Sequence, residues 1–318
     1  MLSMARLMAR VSVVIPTYRR PDDVMRAIES VRSQTFQDFE IVVTVDGRDN
    51  ATVKSVRKLS DPRIRAFVPD ANLGNAEARN VAIQAAEGEL IALLDDDDIW
   101  MPGKLAAQVE TYDRIGSDRA IVSCFFRVQS ESERLVWPRR RPGEGEPLSE
   151  FIFCRHRSLS VEGAVQTSTL LAARALFLSV PFDKDLPRMV DLDWLLRVAG
   201  EGAFLVFPDT EECLSLYAVD DTRPRVSHKA RWSWERDWAI ARRELFTDRS
   251  FAAFLLTSAS LAASRAGDHG AFIPLLKTAL REGRPSAAEI AFHCGNTALP
   301  LPLKKRIAAW LEPRKASA

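Results

Sequence analysis

Residues Leu90–Trp100 read LIALLDDDDIW. Five apolar residues run directly into four aspartates, and the two halves of the stretch need different surroundings. A short run that is apolar at every position is the pattern of a strand covered on both faces, because neither face meets water. Four adjacent carboxylates repel one another and need either solvent or a shared cation. Both needs are met if the strand ends at Leu94 and the acids begin at the mouth of an open α/β sheet, where ligands bind outside the carboxyl ends of the strands. A hard divalent ion takes oxygen ligands from one or two carboxylates plus phosphate, so the acids suggest a metal and diphosphate site. The competing reading is a solvated acidic turn before the helix that begins near Pro102. A calcium-binding EF-hand is excluded, because its loop glycine and distal glutamate are not at the required spacing.

Outward from this stretch, strand and helix periodicities alternate. Val11–Ile15 (VSVVI) is an apolar, β-branched run ending at Pro16. A helix should follow, with Pro21 in its first turn, Asp22 and Asp23 at its positive end, and Val24, Ala27, Ile28 and Val31 on one face. The same reasoning predicts strands at Phe39–Val45 and Ile64–Val68 and helices at Asn50–Leu59, Gly74–Ala86 and Met101–Ile115. Apolar strands separated by helices imply an α/β fold with a mostly parallel central sheet covered on both sides. Gly163–Leu171 (GAVQTSTLL) reads as a strand returning to the sheet, and Trp137–Pro147 as a loop.

The 318 residues, 47% hydrophobic and 27% charged, suffice for a large buried core. The 44 basic and 43 acidic residues nearly cancel, which gives no indication of a nucleic-acid partner. Cys124, Cys154, Cys213 and Cys294 have no CxxC or metal-ligand spacing and read as reduced thiols. Residues 1–10 lack a signal-peptide core, and no stretch reaches the roughly 20 apolar residues of a membrane span. A cytoplasmic location, extending to the inner face of the membrane, is expected.

VSVVIPTYRR (Val11–Arg20), Val45-Asp46-Gly47, Asn72-Leu73-Gly74 with Ala78-Arg79-Asn80, and LLDDDDIWMPGK (Leu93–Lys104) resemble, in order, the motifs of glycosyltransferase family 2. The likeness covers about residues 11–228 and is strongest to residue 115. It implies a GT-A fold, the Rossmann-like fold of nucleotide-diphospho-sugar transferases, and an inverting reaction assisted by Mn²⁺ or Mg²⁺. It also implies a nucleotide-diphosphate sugar donor, with a UDP-sugar favoured, a glycan or lipid-linked acceptor, and a place in polysaccharide or cell-envelope glycan synthesis. The expected organisation is a tail at 1–10, a catalytic domain at 11–228 with donor half 11–115 and acceptor half 116–228, and a helical region at 229–318.

Individual residues carry this expectation. Pro16, Thr17, Tyr18 and Arg19 leave the first strand at the ligand-bearing edge, where backbone groups, an aromatic face and a cation can meet a nucleotide; a plain connector is the alternative. Asp46 closes the second strand and can accept hydrogen bonds from base or ribose, although Val45 stands where the family commonly has another acid. Arg79 can point back to the nucleotide or form a surface ion pair. The resemblance maps a DxD element onto Asp95, Asp96 and Asp97, with Asp97 on the metal, Asp95 or Asp96 on the ribose, and Asp98 assisting the ion or capping the next helix. Transfer also needs a base for the acceptor hydroxyl. MVDLDWLLRVA (Met189–Ala199) resembles the family's acidic motif at a helix start, which gives Asp191 that role, with Asp193 as the alternative and Val190 in the family's glutamate position. Gln166, Thr167 and Ser168 lie near the acceptor in this scheme, and Arg225 and His228 could reach diphosphate or metal. Arg139, Arg140 and Arg141 read as a solvated charge run or as a site for an acidic acceptor.

Beyond residue 228, Trp232, Trp234 and Trp238, FAAFLLTSASLAA and AFIPLLKTAL suggest amphipathic helices that pack on the protein, dimerise or rest on a membrane. Two rival functions remain. A sugar-phosphate nucleotidyltransferase would need an early Gly-rich phosphate loop, which VIPTYRRPDD is not; a non-catalytic sugar-nucleotide scaffold would have no use for both the acidic run and Asp191.

Overall fold

The computed structural model describes residues 9–129, 134–155, 162–218 and 231–298. They form two compact units, one of residues up to 142 together with 165–218, the other of 143–164 together with the residues from 231 onward.

The first unit opens with β1 (Val11–Thr17), α1 (Pro21–Arg32), β2 (Phe39–Val45), α2 (Asn50–Arg57), β3 (Ile64–Phe67), α3 (Asn75–Ala85) and β4 (Leu90–Leu93). Every residue of β1, β2 and β4 is buried, as unbroken apolar runs require of strands covered on both faces. In α1, Pro21 occupies the first turn and Val24, Ala27, Ile28 and Val31 form the buried face. β5 (Ile99–Trp100) and α4 (Lys104–Ile115) follow the aspartates, then β6 (Ala120–Val122), β7 (Phe126–Gln129) and β8 (Arg134–Trp137). After α5 (Leu148–Phe153), which belongs to the other unit, come β9 (Leu171–Ala173), α6 (Arg174–Ser179), α7 (Val190–Gly200), β10 (Phe204–Val206) and β11 (Ser215–Ala218).

The main sheet has seven strands in the order β10-β6-β9-β4-β1-β2-β3. All neighbours are parallel except β9, which runs antiparallel between β4 and β6. The parallel register aligns β1, β2 and β4 so that Thr17, Val45 and the residues after Leu93 emerge at one edge. A second sheet, β5-β11-β7-β8, takes up the chain just past the aspartates. One expectation is corrected here: the returning strand is Leu171–Ala173, and Thr167–Thr169 form a single 3-10 turn ahead of it. The Gln166 amide and the Ser168 hydroxyl donate to Asp98, the Thr167 hydroxyl donates to Asp191, and the Thr169 hydroxyl donates back to the Gln166 carbonyl, a local turn bond.

The second unit is helical, with α5, α8 (Trp232–Ala241), α9 (Asp248–Phe254), α10 (Ser260–Arg265), α11 (Phe272–Glu282) and α12 (Ala287–Ala298). Trp238, Phe246, Phe254 and Phe153 form an aromatic cluster, with Trp238 edge-on to Phe246 at 5.7 Å and Phe153 edge-on to Phe254 at 5.1 Å. Among the described residues, no helix is long and apolar enough to cross a membrane.

Candidate functional site

The four aspartates leave β4 in a tight turn, closed by the Asp98 N–H donating to the Asp95 carbonyl at 3.1 Å. The turn separates side chains that the sequence alone could not. Asp96 and Asp98 are buried, 6% and 1% exposed. The side chains of Asp95 and Asp97 remain 25% and 38% exposed and open toward solvent. The buried pair is held by neutral donors and one cation. Thr17 Oγ1 donates to Asp96 at 2.8 Å, and Arg20 Nη1 reaches Asp96 at 3.0 Å and Asp97 at 3.1 Å. Ser168 Oγ and Gln166 Nε2 both donate to Asp98 Oδ2. Burial pushes the Asp96 carboxyl up to about 6, with Arg20 and Thr17 opposing the shift, and burial next to the Asp95 charge pushes Asp98 well above the carboxylate range.

The donor-side residues converge on the same edge. Arg79, 3% exposed, pairs with the partly exposed Asp95 and lies with its guanidinium carbon 5.8 Å from the centre of the Phe182 ring, so the arginine is a buried residue and not a surface one. The Asp46 carboxylate accepts the N–H groups of Leu73 at 2.6 Å and Gly74 at 3.0 Å, which ties the end of β2 to the turn before α3. Gly74 (φ +82°) has the left-handed backbone that favours glycine. Pro16 and Thr17 are buried in β1. Tyr18 is exposed, and the Arg19 guanidinium lies 5.1 Å from the centre of its ring. Arg19 also has a left-handed backbone, φ +55°, a strained conformation for a non-glycine residue.

Asp191 stands in the first turn of α7, at the positive end of the helix dipole. Trp194, fully buried, anchors that helix by stacking on Phe177 at 4.3 Å and donating from its indole N–H to the Val180 carbonyl at 2.8 Å. Thr167 Oγ1 donates to Asp191 Oδ2 at 3.0 Å, and the Leu192 N–H donates to Oδ1. Gln166 and Ser168, the two ends of a short segment, therefore hold Asp98, and Thr167 between them holds Asp191, linking the acidic run to the head of α7. Asp193 has no exposure and is ion-paired with Arg197 at 2.6 Å, which leaves Asp191 as the accessible acid of the pair. Met189, just ahead of α7, is a second left-handed non-glycine residue, φ +60°.

Sequence reasoning missed a buried lysine in the core beside Trp100. Lys104 is completely buried, with Nζ 3.8 Å from the centre of the Trp100 ring and 2.5 Å from Gln108 Oε1. Trp100 in turn donates to the Ser168 carbonyl at 2.8 Å. A lysine in the first turn of a helix reads as a surface residue, and the preceding Trp100, with its broad π face, was the one available signal. Arg20 was also read only as part of its segment. Arg141 is structural: it donates to the carbonyls of Pro208 and Thr210. Arg225 and His228 lie outside the described residues.

The acids do not make a closed metal cage, since among the described residues no three His, Cys, Asp or Glu side chains converge to hold an ion. They do suit a hard ion that keeps waters and completes its shell with ligand phosphates, which needs only one or two carboxylates. Asp97 is the most open member of the run, and Asp98 Oδ1 is a buried carboxylate oxygen with no hydrogen-bond partner among the described residues. The donor set is of the kind that suits a hard divalent cation.

Comparison with known proteins shows the family and the fold. The profile of glycosyl transferase family 2 matches residues 12–176. The chain is 28% identical over 194 residues to the amylovoran biosynthesis glycosyltransferase AmsB of Erwinia amylovora, covering 58% of this chain and 62% of AmsB. It is 37% identical over 99 residues to the UDP-Glc:α-D-GlcNAc-diphosphoundecaprenol β-1,3-glucosyltransferase WfgD of Escherichia coli, covering 31% of this chain and 39% of WfgD. These alignments span less than two thirds of either relative. A mannosyltransferase of Pyrobaculum calidifontis, solved with GDP-Man and Mn²⁺, superposes with a TM-score of 0.59 at 19% identity, over 96% of this chain and 84% of that one. Likeness at that identity shows the fold, which is the GT-A fold.

Proposed function

Because this chain belongs to glycosyl transferase family 2, we propose that it moves a sugar, with inversion, from a nucleotide-diphosphate donor to a hydroxyl of a glycan or lipid-linked acceptor in cell-envelope polysaccharide synthesis. A UDP-sugar is the favoured donor and Mn²⁺ or Mg²⁺ the cofactor. The names of two relatives support the pathway and the acceptor class, one belonging to amylovoran biosynthesis and the other giving UDP-Glc as donor and a diphosphoundecaprenol-linked sugar as acceptor.

The observation that carries the proposal is the Gln166–Ser168 segment, whose side chains bond both Asp98 and Asp191 and so couple a donor-side acid run to a candidate base. In the reaction proposed, the acceptor oxygen bonds to the anomeric carbon as the bond to the donor diphosphate breaks, and the hydroxyl proton passes to Asp191. Thr167 and the Leu192 N–H orient that carboxylate. Asp95, set by Arg79, takes the ribose; Asp97 holds the cation; and Pro16, Thr17, Tyr18 and Arg19 line the nucleotide's approach. Asp46 acts by shaping the Leu73–Gly74 turn beside it. A bound divalent cation supplies charge stabilisation to the departing nucleoside diphosphate.

Membrane contact is the second part of the reading, supported by α11. Ile273 and Leu280, two turns apart on that helix, are the most exposed large apolar side chains among the described residues, at 63% and 56%. Exposed Lys277 and Arg281 flank them. This pattern suits an anionic lipid surface and would set like charges against each other in a two-fold dimer.

Turnover of a donor panel with a lipid-linked or oligosaccharide acceptor tests the proposal. Asp191→Asn should bind donor as the parent does and lose at least about a hundredfold in transfer rate, the low end of a general-base contribution. Transfer by Asp191→Asn at the parent rate would remove Asp191 from the mechanism.

A further inference from the structure

Arg20 sits where two of the run's carboxylates meet. Its Nη1 lies 3.0 Å from Asp96 Oδ1 and 3.1 Å from Asp97 Oδ2, so one nitrogen bridges both acids. Its backbone is fixed. It caps α1, its carbonyl accepts the Val24 N–H at 3.1 Å, and Pro21 follows it. The side chain is 37% exposed and has solvent into which it can turn. The neighbouring arginines are placed differently: Arg79 is buried against Asp95, and Arg19 lies over Tyr18.

We propose that Arg20 is a resident counter-ion of the acidic run, holding Asp96 and Asp97 while the site is empty and transferring to the donor diphosphate when a divalent cation takes Asp97. The inference rests on the assignment of Asp97 to the cation made above. The electrostatics require such an exchange. Two carboxylates at 3.0 and 3.1 Å from one guanidinium nitrogen hold it by charge attraction. A cation arriving at Asp97 must displace that contact or share the oxygen with a like charge, which is unfavourable at short range. Once released, the guanidinium offers paired N–H donors that match phosphate oxygens. Arg20 is thus a positioning residue with effects of opposite sign: it weakens binding of the cation alone and strengthens binding of the nucleoside diphosphate in the cation's presence. The consequence is coupled filling, in which each of cation and nucleotide binds better when the other is present.

Calorimetric titration of the full chain with Mn²⁺ alone, and with UDP and GDP at saturating Mn²⁺, tests this in the parent, Arg20→Met and, as a control at an exposed arginine of α2, Arg57→Met, with thermal melts to establish that each variant is folded. The expected result for Arg20→Met is Mn²⁺ binding about tenfold tighter and nucleotide binding about tenfold weaker, the scale of a direct charge contact. Arg20→Lys, which keeps the charge, should lie between parent and Met. Unchanged affinities in Arg20→Met, both affinities moving the same way, or equal shifts from Arg57→Met would each overturn the role of Arg20 and leave the site assignment standing. A parent chain that binds neither nucleotide with Mn²⁺ would overturn the site assignment and this role together.

Discussion

Replacing Lys104 by methionine isolates the effect of burying a charge beside Trp100 and Gln108. Lys104 has no exposure, and burial lowers its pKa from 10.5 to about 8. At about 1.4 kcal/mol per unit, the charged folded state is disfavoured by about 3 kcal/mol relative to an unperturbed lysine. The sign follows from proton counting. Above a pH of about 8 the folded chain has given up a proton that the unfolded chain keeps until about 10.5, so stability rises with pH across that window. About 2 kcal/mol of the penalty should therefore be relieved between about pH 6.5 and about pH 9.5. Methionine has no such penalty, but it leaves Gln108 Oε1 without its donor, a loss of about 1–3 kcal/mol that nearly offsets the gain at the lower pH. The decisive quantity is the difference between parent and Lys104→Met in urea-melt stability, measured at both pH values so that other titrating groups cancel. It should move by about 2 kcal/mol in favour of the parent as the pH rises. A difference that stays level would mean that the Trp100 face and Gln108 fully compensate desolvation, leaving Lys104 an ordinary charged lysine.

Thr167→Val removes the hydroxyl that donates to Asp191 but keeps the side-chain shape; turnover should fall about tenfold with donor affinity unchanged, and an equal loss of donor affinity would place Thr167 on the donor side. Asp46→Ala leaves the Leu73 and Gly74 N–H groups without their acceptor, and urea melts should show a loss of about 2–3 kcal/mol, with a change near zero contradicting its turn-fixing role. Sedimentation with vesicles should show binding to anionic but not neutral lipid, lost when Ile273 and Leu280 are both replaced by aspartate; retained binding would exclude the α11 face.

The main sheet was legible because its strands are apolar on both faces and its helices carry their signals locally. Phe39–Val45 was read with the bounds of β2, and the Pro21 start of α1 was visible before any tertiary contact was known. The second sheet was not legible. β5 has two residues and pairs with β11 far along the chain, a length at which periodicity carries no information. Gly163–Leu171 was misread because its hydroxyl-bearing and β-branched residues look strand-like, while here the hydroxyls of Thr167, Ser168 and Thr169 bond to Asp191, Asp98 and the Gln166 carbonyl. Four identical aspartates gave sequence reasoning nothing to rank, and their alternating exposure arises only when the turn after β4 is formed. The grouping of residues 143–164 with the C-terminal helices likewise depends on long-range packing that no local pattern records.

The central claim, that the acidic run after β4 binds a nucleoside diphosphate through a cation at Asp97, is tested most directly by thermal midpoints. The purified chain and Asp97→Asn would be melted with UDP, GDP, dTDP or CDP, each with Mn²⁺ and with chelator. At about 100 times its dissociation constant a ligand adds about 2.7 kcal/mol to the folded state. The account predicts a rise in the parent for one nucleotide, strongest with UDP, that requires Mn²⁺ and disappears in Asp97→Asn. A nucleotide shift that survives in Asp97→Asn or in chelator would contradict it.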